Sequence, residues 1–205
     1  VLLDEDEKEL HRISFELNQH EANTHHERTF VSNIDGSVQY YSVAPSTEEG
    51  ENQALVLSVH GAGVEARNQA RAYSQKDWCH VVAPTNRRPY GFNWEDWGRI
   101  DAMEVLAEAK NVFQTDLQRT YLTGHSMGGH GTWQIGVTYP DHFAAIAPCA
   151  SYPDILGYGR RGRNSEQENN LHYQTLQQSA NGGRTLKLKR NYLQSVVYIL
   201  HGSED

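Results

Sequence analysis

Residues 119–133 read "RTYLTGHSMGGHGTW", and the order of residue types in this stretch decides the fold. The apolar run up to Gly124 suits a buried strand, and the run from Met127 suits a helix that Pro140 stops. A chain that passes from strand to helix with so few residues between them must bend sharply. "GHSMG", residues 124–128, matches the G-x-S-x-G pattern, in which a serine occupies the strained bend and its hydroxyl is lifted out of the sheet. Gly124 and Gly128 remove the side chains that would collide there, and Gly129 and Gly131 let the helix approach the sheet. Ser126 is therefore the candidate nucleophile. The free N–H groups and positive dipole end of the helix point at the same place, which makes the Met127 amide a candidate oxyanion donor.

Working outward, "ALVLSVHGAG" (54–63) is a continuous apolar run ending in glycine, as expected of a strand covered on both faces of a parallel sheet. The loop it enters supplies the second oxyanion donor, with Ala62 the first candidate and Gly63 the second. "VEARNQARAYSQK" (64–76) reads as a helix and "CHVVAPT" (79–85) as a strand. "RIDAMEVLAEAKNVF" (99–113) reads as an amphipathic helix with Ile100, Met103, Leu106, Ala109 and Phe113 along one stripe. "FAAIAPCAS" (143–151) and "SVVYILHG" (195–202) complete the set of buried strands. Upstream, "RTFVSNIDGSVQYYSVAP" (28–45) carries an Asp-Gly turn between two strand-like runs, a hairpin signal. Strands alternating with helices predict a right-handed, mostly parallel α/β sheet with helices on both faces and the hairpin at its edge. Residues 1–28 read as a polar linker or upstream tail and 29–205 as one catalytic domain. Residues 152–194 break the rhythm and read as a lid or insertion.

Composition narrows the function. A formal charge of −8 argues against a nucleic-acid footprint, and 38% hydrophobic residues with four tryptophans place the chain among globular proteins. No apolar run is long enough to span a bilayer. Cys79 and Cys149 lie beside apolar stretches and read as buried free thiols. No metal, nucleotide or flavin motif is present, and acyl transfer through a serine needs no cofactor.

A serine nucleophile needs a base, and the base an orienting carboxylate, which in this architecture follow in the order serine, acid, histidine. Asp205, in "YILHGSED", has the natural position for the acid, just past a buried strand. No histidine follows it, so the chain is expected to end before its catalytic histidine. An in-chain arrangement that keeps the order pairs Asp154 with His201. His125 adjoins Ser126 but points away from it, and His130 and His142 lie on or beyond the next helix. The loop "PTNRRPYGFNWEDWG" (84–98) follows a strand on the side where ligands gather in such sheets. Its Tyr90 and Trp94, with Phe92 and Trp97, are candidates for a substrate wall, and Arg87 or Arg88 for meeting an acidic group.

Taken in order, "LSVHGAG", "YLTGHSMGGHGTW", "YPDHFAAIAP" and "YILHGSED" resemble the catalytic domain of prolyl oligopeptidase-like α/β-hydrolases, including the related bacterial esterases, over about residues 38–205. The resemblance implies an α/β-hydrolase fold that is C-terminally incomplete, with Ser126 as nucleophile, Asp205 as acid and a histidine on a later loop. It implies a small peptide or ester substrate, with no nucleic acid or membrane involved. The expected activity is that of a serine peptidase working through an acyl-enzyme. A carboxylesterase with the same machinery and a non-catalytic hydrolase-fold binding module are the alternatives.

Overall fold

Apolar, β-branched runs bounded by glycine and proline become the strands of one large sheet in the computed structural model, which describes residues 2–3, 5–14, 16, 20–87, 93–154 and 170–203. In chain order the strands are β1 (Leu2–Leu3), β2 (Glu9–His11), β3 (His26–Val31), β4 (Val38–Ala44), β5 (Ala54–Val59), β6 (Cys79–Pro84), β7 (Thr120–His125), β8 (Ala145–Cys149) and β9 (Val196–Val197). The helices are α1 (Ala66–Arg71), α2 (Trp97–Phe113), α3 (Met127–Thr138) and α4 (Leu171–Ser179), with 3-10 segments at Pro140–His142, Ala180–Gly183 and Thr185–Gln194. Seven strands pair in the order β3-β4-β6-β5-β7-β8-β9. The run from β6 to β9 is parallel, and the β3–β4 hairpin joins it antiparallel through β4. The short β1–β2 pair forms a separate two-stranded sheet. The large sheet begins at His26, three residues ahead of the expected domain start.

Side chains alternate across the sheet, and the two faces bury different helices. Val82, Leu57, Val59, Leu122 and Ile146 pack with Ala102, Val105, Leu106 and Ala109 of α2 and Ile135 of α3 in the main core. On the opposite face Ala83 packs with Ala66 and Ala70 of α1. Burying each of these large aliphatic side chains contributes roughly 1.5–3 kcal/mol. Two expectations shift. Helix α1 is shorter than its sequence pattern, and the buried stripe of α2 runs through Asp101, Ala102, Val105, Leu106 and Ala109, leaving Ile100, Met103 and Phe113 half-buried. The last strand differs more: Val196, Tyr198, Ile199 and Leu200 are each more than half exposed. β9 stands at the edge of the order, with β8 as its one neighbour among the described residues, so the apolar run that reads as buried from sequence is open on its outer side.

Of the stretch read as a lid, residues 155–169 lie outside the described residues, while residues 171–183 and 185–194 are helical, the latter leaning on α3 through Tyr192 Oη–H donating to Trp133 O at 2.9 Å. Cys79 is buried, which pushes its thiol up to about 11, while Cys149 is only half-buried; neither is in a disulfide.

Candidate active site

The bend between β7 and α3 has the geometry that its glycines require. Ser126 sits at φ 58°, ψ −118°, a left-handed conformation that costs a non-glycine residue about 1–3 kcal/mol. It is exposed, held by its N–H donating to Cys149 O at 3.0 Å and by its carbonyl accepting from His130 N–H at 3.0 Å. A Cβ on Gly124 would lie 2.4 Å from Gly128 O, and one on Gly128 would lie 2.0 Å from Val59 O. The two glycines therefore let the bend press directly onto the end of β5.

That contact also places the second candidate donor. Val59 pairs in register with Gly124, so the loop His60–Gly63 leaves the sheet beside the elbow. Gly63 has φ 69°, Ala62 is exposed, and Val64 N–H donates to Gly61 O to close the turn. Among the described residues, neither the Ala62 nor the Met127 N–H is engaged by a hydrogen bond. His60 is fully buried, its Nδ1 2.9 Å from Gly61 O, and burial holds its imidazole below the ordinary histidine range, so it props the loop from within the core.

Trp94 corrects an expectation. It is fully buried, its Nε1–H donates to His60 O at 3.0 Å, and its ring meets His60 edge-on at 4.8 Å. A Cβ on Gly131 would lie 2.5 Å from Trp94 Cδ1, so that glycine opens α3 to this indole and not to the sheet. Trp94 thus supports the His60–Gly63 loop and presents no surface to a substrate. Trp97, half exposed, lines a cleft of about 450 Å³ with Asn86, Asn93, Glu95 and Asp96. This cleft adjoins the elbow and does not include it; the link is Asn93 N–H, 3.1 Å from Met127 Sδ. Tyr90, Phe92 and Arg88 lie outside the described residues.

Arg87 is likewise occupied. Its Nη2 donates to Glu104 Oε2 and to Ser32 Oγ, each at 2.7 Å, and its Nη1 lies 3.4 Å from Asp35 Oδ1. Its Nε is 3.3 Å from Asp101 Oδ1 without hydrogen-bond alignment. The guanidinium ties the hairpin turn to α2 and holds Asn86 and Arg87 at φ 60° and 63°; it has no charge to spare for a substrate.

Burial, partly offset by Arg87, pushes the fully enclosed Asp101 carboxyl up from 3.8 to about 6. The folded chain then keeps a proton that the unfolded chain releases between about pH 4 and 6, so this group lowers stability as pH rises through that window, by about 3 kcal/mol in all. The expected result is that Asp101→Asn gains on wild type by up to about that amount between pH 4 and 7, read from urea midpoints at each pH. Parallel pH profiles for the two proteins would show that Asp101 is ionised throughout.

The sequence-predicted acid, Asp205, lies outside the described residues. Leu200 bridges Cys149 and accepts Ala150 N–H at 2.7 Å, so the segment entering "HGSED" passes beside the strand next to the elbow. The in-chain pair is not brought together as a relay by any hydrogen bond among the described residues: Asp154 is buried and takes Arg184 Nε–H at 3.2 Å, whereas His201 is exposed. His125 is exposed and His130 is fully buried against Glu95. Sequence reading missed the Arg87–Asp101–Glu104 cluster and the His130–Glu95 pair. Its one available signal was charged residues falling within apolar helical stripes.

An exposed serine on a strained strand-to-helix bend, beside a glycine loop and on a mostly parallel sheet, is the arrangement of the α/β-hydrolase fold. The family described as "Putative esterase" matches residues 23–203, and the chain belongs to it. Poly(3-hydroxyalkanoate) depolymerase C of Paucimonas lemoignei is 31% identical over 148 residues, covering 61% of this chain and 34% of that protein. The bifunctional acetylxylan esterase/xylanase XynS20E of Neocallimastix patriciarum is 28% identical over 121 residues, covering 55% of this chain and 18% of that protein. The chain thus spans about a third or less of the length of these curated relatives. Among solved structures, Est1E from Butyrivibrio proteoclasticus shares the fold with a TM-score of 0.62 at 16% identity, covering 86% of this chain and 78% of that one. Of the resemblance to prolyl oligopeptidase-like hydrolases and their related esterases, the matched family supports the esterase part and gives no support to the prolyl oligopeptidase-like specificity. The matched family is one of esterases, and sequence motifs shared by the whole fold could not separate the two.

Proposed function

We propose that the protein is a carboxylesterase in which Ser126 forms the acyl-enzyme. The observation that carries this reading is the strained, exposed Ser126 at φ 58° on the elbow, in a chain of an esterase family. Ser126 Oγ attacks the ester carbonyl as its proton passes to a histidine base partnered by Asp205. The carbonyl oxygen takes up the negative charge between the N–H groups of Ala62 and Met127. Collapse of the tetrahedral species releases the alcohol, which takes the proton, and water then frees the acid by the same route in reverse. Support for an ester over a peptide bond comes from the relatives, whose names describe a polyester depolymerase and an acetylxylan esterase. Acyl esters of polymeric alcohols or hydroxy acids are the substrate class this reading favours.

The test compares p-nitrophenyl acetate and butyrate with a prolyl p-nitroanilide, using the full-length protein. Hydrolysis of both esters with kcat/KM at least about 100-fold above that for the anilide is expected. An anilide turned over as fast as the esters would restore the peptidase reading.

A further inference from the structure

Beside the elbow lies a polar cluster that the chemistry at Ser126 does not use. His130 is fully buried on α3, and its backbone N–H donates to Ser126 O. Its Nε2 is 2.7 Å from Glu95 Oε1, its Nδ1 is 3.2 Å from Tyr152 O, and its ring stacks on Tyr152 with centroids 4.5 Å apart. Glu95 belongs to the loop between β6 and α2, and Tyr152 to the segment that follows β8. One imidazole therefore joins the loops leaving the carboxyl ends of β6 and β8 to the helix that leaves β7. Ligands in sheets of this kind bind beyond those same strand ends.

A site that needed only to be filled would accept an apolar side chain, because replacing both partners of a buried polar contact with well-packed apolar groups is often nearly neutral or stabilising. Directed contacts do something packing does not: they fix where each loop lies relative to the helix. Glu95 also lines the cleft of about 450 Å³ with Asn93 and Trp97, and Asn93 reaches Met127, the residue after the nucleophile. The loop tied down by His130 is thus a wall of the cleft that adjoins the elbow through Asn93 and Met127.

We propose that His130 and Glu95 are positioning residues for ester binding, holding residues 93–96, a wall of the cleft, against residues 150–154, which follow the strand whose Cys149 O accepts the Ser126 N–H. The kinetic part of this proposal rests on the esterase reading above. Ser126 itself is held through the backbone, by its N–H on Cys149 O, by its carbonyl on the His130 N–H and by the fit of Gly124 and Gly128 against Val59, none of which uses the two side chains. Loss of the pair should therefore loosen substrate binding and spare the elbow.

The experiment uses Glu95→Ala, Glu95→Gln and His130→Gln in the full chain. Three readouts are kcat and KM for p-nitrophenyl butyrate, the rate of Ser126 labelling by a small fluorophosphonate, and amide hydrogen exchange in residues 93–96, 150–154 and α3. For Glu95→Ala a KM increase of about tenfold is expected, with kcat and the labelling rate within about threefold of wild type. Exchange should quicken in both loop segments and hold steady in α3. Glu95→Gln, whose amide oxygen still accepts the Nε2–H, should return KM to within about threefold of wild type, and His130→Gln should move KM and exchange in the same direction as Glu95→Ala. Unchanged KM and unchanged loop exchange in Glu95→Ala would overturn the proposal, as would a Glu95→Gln variant no better than alanine. If the wild-type protein neither hydrolyses esters nor takes the probe, the esterase reading fails on its own. Exchange in 93–96 and 150–154 then judges whether the pair holds the loops.

Discussion

Ser126→Ala is expected to lower kcat/KM for ester hydrolysis by on the order of 10⁴-fold or more while leaving the thermal midpoint within about 2 °C of wild type. Alanine removes Oγ, which makes no protein hydrogen bond among the described residues, and inherits the same backbone conformation with the same strain. Ser126→Gly makes the complementary case. Glycine adopts φ 58° without a Cβ penalty, so this variant should be as inactive as alanine yet more stable by about 1 kcal/mol, the part of the strain released beyond glycine's entropy cost in the unfolded chain. Activity is read with p-nitrophenyl acetate and stability from urea unfolding. Residual activity within tenfold of wild type in the alanine variant would remove Ser126 from the chemistry. A glycine variant less stable than alanine would show that the elbow stores no strain.

Trp94→Ala is expected to destabilise the fold by about 3–5 kcal/mol, a fall in thermal midpoint of roughly 10 °C, because it empties a fully buried indole site between α3 and the His60 loop. Trp94→Phe keeps most of the volume and leaves His60 O without its donor, so a smaller loss of about 1–3 kcal/mol is expected. If the residue were a substrate wall, as the sequence suggests, the alanine variant would instead raise KM with an unchanged midpoint. Thermal unfolding and a KM determination on the same preparation separate the two.

The sequence-based peptidase expectation and the comparisons part at the substrate, and the reason is physical. The strained bend, the small-residue loop and the order of strands serve acyl transfer in general, whereas the discrimination between ester and amide lies in groups around the leaving atom. Groups of that kind are disproportionately carried by loops, and residues 88–92, with Tyr90 among them, and 155–169 lie outside the described residues. The same distinction explains Arg87. As a sequence feature it is an arginine near an aromatic loop; in the fold it meets Glu104, Asp101 and Asp35, carried by α2 and by the hairpin turn.

By itself the sequence determined the parallel sheet, its edge hairpin, the helices on both faces and the elbow. Each of these is set by steric rules acting over a few residues: which positions admit no Cβ, which runs can be buried on both faces, and where a strand must give way to a helix. Tertiary structure alone decided what Trp94, Arg87, Asp101 and His130 do. Their partners lie across the fold, His60 for Trp94, Glu104 for Arg87 and Glu95 for His130. A buried polar side chain takes its role from whichever donor or acceptor the packed chain brings within about 3 Å, and that meeting is a property of the whole fold.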